Sequence, residues 1–249
     1  HHSARDCLAA HQPRIAGPVS RPWHPVGVRI TEESPALRLA GAFWVIAGAW
    51  YLVTEAVVAG QIPGYRYSVD YISDLGQPAR SPWASWMSGA FIVQGAAFAL
   101  AAALVVAAMR LGPGGLRFFG LALIYGVGSA AVGLFPGGGA DTGAVVHVAG
   151  ATAAIVGGNL AIISAGAAFL RRSRFRVLGG SGVALGIVGL VSAGFLLLNS
   201  MLDAHLVFGA GASERVAIYP IIGWPLLAGV TVLSRPRATA WAPASPTQT

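Results

Sequence analysis

From Trp83 to Met109 the chain runs 27 residues without a charged side chain. A hydrocarbon core about 30 Å thick is crossed by about 20 helical residues at 1.5 Å each. Five further apolar segments reach that length: Leu37–Ala59, Leu116–Phe135, Gly143–Leu170, Val177–Met201 and Val216–Leu233. Backbone polar groups in lipid must be satisfied inside each segment, so these runs read as helices. A β-barrel would show alternating stretches of about ten residues, and these runs are continuous. The expectation is an all-α, polytopic bundle of six transmembrane helices. Gly112-Pro113-Gly114-Gly115 and Pro136-Gly137-Gly138-Gly139 punctuate it.

Composition agrees. Apolar residues make up 55% and charged residues 10%, against about 25% charged in soluble domains. A water-soluble globule could not hide that much apolar surface, and a disordered chain would not contain it. The chain divides into a Pro-rich basic tail over 1–36, a membrane domain over 37–234 and a polar tail over 235–249. Both tails are expected to be disordered. With Cys7 alone, an intrachain disulfide and a cysteine-cluster zinc site are both excluded.

The net charge of +7 comes from 16 arginines, no lysine and nine acids. In a soluble protein this would point to nucleic acid, but no nucleic-acid motif accompanies it, and no such partner is expected. Thirteen arginines fall in one alternating set of loops and tails. Arg66, Arg80 and Arg215 fall in the other. The bias places both termini in the cytoplasm, and a bacterial inner membrane is the expected location.

Six of the nine acids gather at the opposite, outer side: Glu55, Asp70, Asp74, Asp141, Asp203 and Glu214, with His147 and His205. Ionisable groups near lipid are costly and usually face the bundle interior or water. Glu55 shares a helix face with Tyr51. His147 lies on a stripe of small residues with Gly143, Gly150, Ala154 and Gly158 in span four. A similar stripe, Gly182, Gly186, Gly189 and Ala193, runs along span five. Such stripes let helices approach closely. Asn199 and Asp203 are four apart, and His205 follows. Asp141, His147, Asp203 and His205 are types that ligate divalent ions, but no H-E-x-x-H spacing joins them. The metal reading rests on residue type alone.

Between spans one and two, Ser68 is placed to N-cap a short helix over Val69–Leu75 that Gly76 closes. It would lie on the outer surface with Asp70 and Asp74 on one face. Ser213 is placed to cap span six, with Glu214 in its first turn, and Pro220 and Pro225 are expected to kink it. The sharpest expectation is a shared outward polar pocket. In it Glu55, Asp74, His147, Asp203 and Glu214 approach one another, with Arg215 as counter-charge and Asp70 nearby. The competing expectation is that each group reaches interfacial water separately.

Three short patterns resemble those of the bacterial and archaeal integral-membrane family called domain of unknown function 998. They are Tyr67-Ser68-Val69-Asp70-Tyr71-Ile72-Ser73-Asp74-Leu75-Gly76, then Leu134-Phe135-Pro136 with His147 following, and Gly211-Ala212-Ser213-Glu214-Arg215. The resemblance covers about Leu37 to Leu233. It implies six helices and a membrane location, and it implies no activity.

No nucleophile elbow, phosphate loop, dinucleotide fingerprint or kinase signature is present, and no cofactor is expected. Three function classes remain. The first is a membrane protein that binds or organises lipid, a small molecule or a partner through the outward pocket. The second is a membrane-embedded hydrolase acting on lipid at the outer leaflet, with or without a metal. The third is a small-molecule or proton-coupled transporter, which needs charged groups near the midplane. No span carries one there.

Overall fold

The computed structural model describes residues 34–137, 142–202 and 208–235. Asp141, Asp203 and His205 therefore lie outside the described residues, as do nearly all of both tails.

Six helices carry the chain: α1 (Pro35–Ala59), α2 (Ala84–Met109), α3 (Gly112–Leu134), α4 (Thr142–Leu170), α5 (Arg176–Leu202) and α6 (Ala210–Leu233). Each is long and apolar enough to cross a membrane. Short 3-10 turns lie at Ser73–Gly76 and Ser173–Phe175. Two helices begin earlier than the apolar pattern indicates. α3 starts at Gly112 because Pro113 falls in its first turn, where the missing N–H costs nothing and φ is already helical. α6 starts at Ala210, so Ser213 sits inside the helix and caps nothing. Pro220 and Pro225 lie within α6, which stays helical through both.

Sequential helices pack side by side, and α6 returns to α1, closing an up-and-down ring in which α4 also touches α6. Glycine pairs set four of the ring contacts. They are Gly41 with Gly229, Gly95 with Gly126, Gly128 with Gly150, and Gly166 with Gly179. A Cβ on Gly128 would stand 2.5 Å from the Gly150 carbonyl oxygen. The expected small-residue stripes are therefore close-packing faces, driven by van der Waals contact where no hydrophobic force operates between helices.

Inside the ring lies an aromatic column. Trp44 packs on Phe98 and Trp224, Phe98 on Tyr125, and Trp224 on Phe169. Trp224 Nε1 donates to the Leu178 carbonyl at 2.9 Å. Fully buried Asn159 of α4 donates to the Ala217 carbonyl of α6 at 2.9 Å. Large apolar side chains such as Ile46, Val127, Val145 and Val177 point outward, where lipid replaces water. One end of the bundle carries Arg38, Arg110, Arg117, Arg171, Arg172, Arg174, Arg176 and Arg235. All four described acids stand at the other end, with Arg66, Arg80 and Arg215.

Candidate functional site

The acid-bearing end is built around Arg215, one turn into α6. Its Nε donates to Glu55 Oε1 of α1 at 3.1 Å. Its Nη1 donates to the carbonyls of Tyr67 at 2.7 Å, Asp70 at 2.9 Å and Gly211 at 3.1 Å. Its Nη2 donates to the Tyr65 hydroxyl at 2.6 Å. The rings of Tyr65 and Tyr67 flank the guanidinium, with Tyr67's centroid 4.5 Å from Cζ. A fixed fork of five donors suits this task, and a lysine could not replace it. Arg215 is 6% exposed and Glu55 2%. The Tyr219 hydroxyl, one turn along α6, also donates to Glu55 Oε1, at 3.0 Å.

The α1–α2 loop wraps over this pair. The first amides of α6 bind it, Gly211 N to the Val69 carbonyl and Ala212 N to the Ser68 carbonyl, both at 3.1 Å. These are helix N-terminal donors that must find partners somewhere. A Cβ on Gly209 or Gly211 would overlap the loop backbone at Ser68 or Asp70. Glu214 Oε2 accepts from the Ile72 amide. The Tyr65 hydroxyl donates to the Tyr71 carbonyl at 2.8 Å. Burial pushes the Tyr65 phenol up to about 12 and raises Tyr71 as well, with Glu214 and Asp74 adding to the effect.

This arrangement corrects the helix expected over Val69–Leu75. Only Ser73–Gly76 turns as a 3-10 helix, and Ser68 caps nothing. An α-helix there would spend the carbonyls of Ser68, Val69 and Asp70 on its own ladder. Arg215 and the α6 amides take them instead. Asp74 does point inward and is buried. It accepts from Gln77 Nε2 at 3.0 Å and pairs with Arg80 at 2.5 Å. Asp70 accepts from the Arg66 amide at 2.8 Å and stands 3.9 Å from Arg80.

Glu55, Asp70, Asp74, Glu214 and Arg215 thus share one end and one loop, whereas His147, at the same end, serves the connection between α3 and α4. Its Nδ1 lies 2.8 Å from the Phe135 carbonyl, so that nitrogen carries the proton. A Cβ on Gly137 would stand 3.1 Å from the ring. The imidazole fastens the end of α3, and no hydrogen bond or ion pair joins it to a described acid. Asp141 and Asp203, the other acids expected near His147, lie outside the described residues. Among the described residues no three His, Cys, Asp or Glu side chains converge to hold a metal.

Three spaces surround the clamp. An internal cavity of about 40 Å³ lies beneath it, lined by Tyr51, Ser73, Tyr125, Ser129 and Glu214. It exceeds the ~10–15 Å³ that one water needs. The Tyr51 hydroxyl, buried without a protein partner, lines it. A polar pocket of about 110 Å³ lies between the loop segments, lined by Tyr65, Asp70, Asp74 and Arg80. An apolar groove of about 760 Å³ runs along α1 and α2, from Trp86 and Trp50 to Phe43 and Leu100. Trp86 packs against both Trp50 and Trp83, at 5.8 Å each.

Sequence reasoning did not find Tyr65, Tyr219 or the tryptophan-topped groove. Tyr219 follows Arg215 by four residues, a same-face signal that was available. Tyr65 gives no such local signal.

Six membrane-crossing helices and a polar end sealed by a loop define an integral, multi-pass α-helical membrane protein. The chain belongs to the family described as Protein of unknown function (DUF998), whose pattern matches residues 45–231. The comparisons found no matching curated protein and no matching solved structure. Two of the three family-like patterns, Tyr67–Gly76 and Gly211–Arg215, are the two halves of the clamp.

Proposed function

We propose that this protein binds a lipid at its acid-bearing end, as a binding protein rather than a catalyst. The acyl chain lies in the groove between α1 and α2, and the headgroup lies at the loop above it. The groove carries the reading: about 760 Å³, almost wholly apolar, and topped by a tryptophan cluster of the kind that sits at headgroup level. The polar pocket bears both signs, Asp70 and Asp74 against Arg80. It therefore suits a zwitterionic headgroup. Glu55, Glu214 and Arg215 act by holding the loop that shapes this pocket, through Glu55 Oε1, Glu214 Oε2 and the Arg215 guanidinium, while Glu55 Oε2 is buried without a hydrogen-bond partner.

Gly89 lines the groove, and a Cβ there meets no protein atom within 4 Å. Gly89→Leu therefore fills the groove without disturbing the bundle. Native mass spectrometry of the detergent-purified protein, offered equal phosphatidylethanolamine and phosphatidylcholine, is the test. The wild type is expected to retain one lipid, and Gly89→Leu to lose it. Equal retention by both proteins would refute the reading.

A further inference from the structure

At the opposite end a second groove, of about 900 Å³, opens between α3 and α4. Its two walls are single helix faces. Arg117, Gly120, Leu121 and Ile124 stand on α3 at three- and four-residue spacing. Leu160, Ile163, Ala167 and Arg171 face them on α4. Seven residues separate Arg117 from Ile124, so the apolar floor runs about 10 Å inward from the charged rim. Arg110 and Arg172 complete that rim. Every described acid lies at the other end of the bundle, so no described carboxylate neutralises it.

Two details show that the rim is built. Arg172 Nη2 donates to the Met109 carbonyl at 2.8 Å, tying the end of α4 to the end of α2. Arg110 sits in the left-handed region, at φ 48°, in the tight reversal between α2 and α3. Glycine holds such positions without strain, and Gly112, two residues on, does so at φ 61°. Arg110 holds the left-handed position that ends α2, and from there it lines the groove mouth.

We propose that this groove is a binding site for an anionic phospholipid of the leaflet at the arginine-rich end. The phosphate lies among Arg110, Arg117, Arg171 and Arg172, and one acyl chain lies along Gly120 and Ile124. Basic pockets between transmembrane helices take such headgroups by charge complementarity. The apolar floor commits the site to a lipid over a free anion, because a soluble phosphate would leave it empty.

The experiment is native mass spectrometry of the full chain carrying Gly89→Leu, which closes the groove between α1 and α2 to phosphatidylcholine, with equal phosphatidylglycerol and phosphatidylcholine. This protein is expected to retain phosphatidylglycerol about tenfold over phosphatidylcholine, on the scale of a few arginines near one phosphate. Arg117→Gln with Arg171→Gln is expected to bring the two lipids within about twofold of each other. Gly120→Leu keeps every charge, and its Cβ meets no protein atom within 4 Å. It is expected to lower phosphatidylglycerol retention about fivefold. Adding inorganic phosphate to 10 mM is expected to displace nothing. An undiminished preference in the arginine variant overturns the proposal, because the arginines would then serve only to orient the chain. Displacement by phosphate overturns it in favour of a free anion. Where the arginine variant does not fold, undiminished retention by Gly120→Leu overturns it alone.

Discussion

Arg215 Nε lies 3.1 Å from Glu55 Oε1, and the two residues are 160 positions apart in the chain. They join the end of α1 to the start of α6 at the point where the ring of helices closes. The same guanidinium holds three backbone carbonyls, so it is ion-pair partner and loop cap together. Breaking a buried pair by removing one partner costs about 3–5 kcal/mol, since the remaining charge has nowhere to go. Arg215→Gln is expected near the upper end of that range. Glu55→Gln is expected to cost less, because Arg215 keeps its carbonyls and the Tyr65 hydroxyl. The double variant should be more stable than the sum of the singles implies. Thermal unfolding in detergent, followed by tryptophan fluorescence, measures this. Additivity within about 0.5 kcal/mol would show that the two side chains are not coupled.

Tyr65 ties the loop to this pair. Its hydroxyl donates to the Tyr71 carbonyl and accepts from Arg215, so it works only while protonated. Its phenol is raised from the ordinary 10.0 to about 12, mainly by burial. A group whose folded-state value is raised stabilises the fold fully below its unfolded value and loses that contribution as pH climbs. The melting temperature should therefore fall between about pH 10 and pH 12. Tyr65→Phe should start lower at pH 8, by about 1–2 kcal/mol, and should lose less over that interval. A wild-type and variant pair falling in parallel would assign the alkaline loss to other groups.

The six spans were legible because the membrane acts on every residue of a span alike, and apolar length alone reports it. Glu55, Asp74, Glu214 and Arg215 were also legible as a group, since a polar residue beside lipid has few places to go. The loop's conformation was not legible. Ser68 followed by Gly76 carries valid local helix signals, but the carbonyls between them are claimed by Gly211, Ala212 and Arg215. Those partners lie about 140 residues away, and no local pattern contains them. The described partner of His147 was not legible either. The stripe of small residues around it is real, but the Phe135 carbonyl takes its donor.

His147 therefore gives a sharp contrast with the lipid sites. Its loss removes one hydrogen bond to the end of α3, worth about 1 kcal/mol. His147→Ala should lower the melting temperature by a few degrees and leave retained lipid unchanged in mass and amount. Lost lipid at an unchanged melting temperature would return the residue to the binding site.

Close glycine contacts make a prediction that a matched control sharpens. A Cβ on Gly128 would meet the Gly150 carbonyl oxygen at 2.5 Å and the Ala154 nitrogen at 2.6 Å, both backbone atoms of α4. Neither can step aside without moving the helix. Gly128→Ala is expected to destabilise by about 1–3 kcal/mol through overpacking. Gly194 lies mid-helix in α5 with nothing within 4 Å of its Cβ position. Gly194→Ala is expected to be neutral, or stabilising by up to about 1 kcal/mol from helix propensity. Equal melting temperatures for the two variants would contradict the packing of α3 on α4.

The orientation of the bundle follows from arginine placement and is open to direct measurement. Eight described arginines and no described acid stand at one end, against three arginines and four acids at the other. Arginine bias in short loops sets which side stays in the cytoplasm, and acids contribute little to it. The arginine-rich end, where α1 begins and α6 finishes, is expected to face the cytoplasm. Cys7 is first replaced by serine, and single cysteines are then placed at Ala79 and Ser173. Both positions are exposed, in loops at opposite ends. An impermeant maleimide applied to intact cells should label position 79 and reach position 173 only after lysis. The reverse pattern would turn the protein over in the membrane, and the arginine-lined groove would then face the outer leaflet.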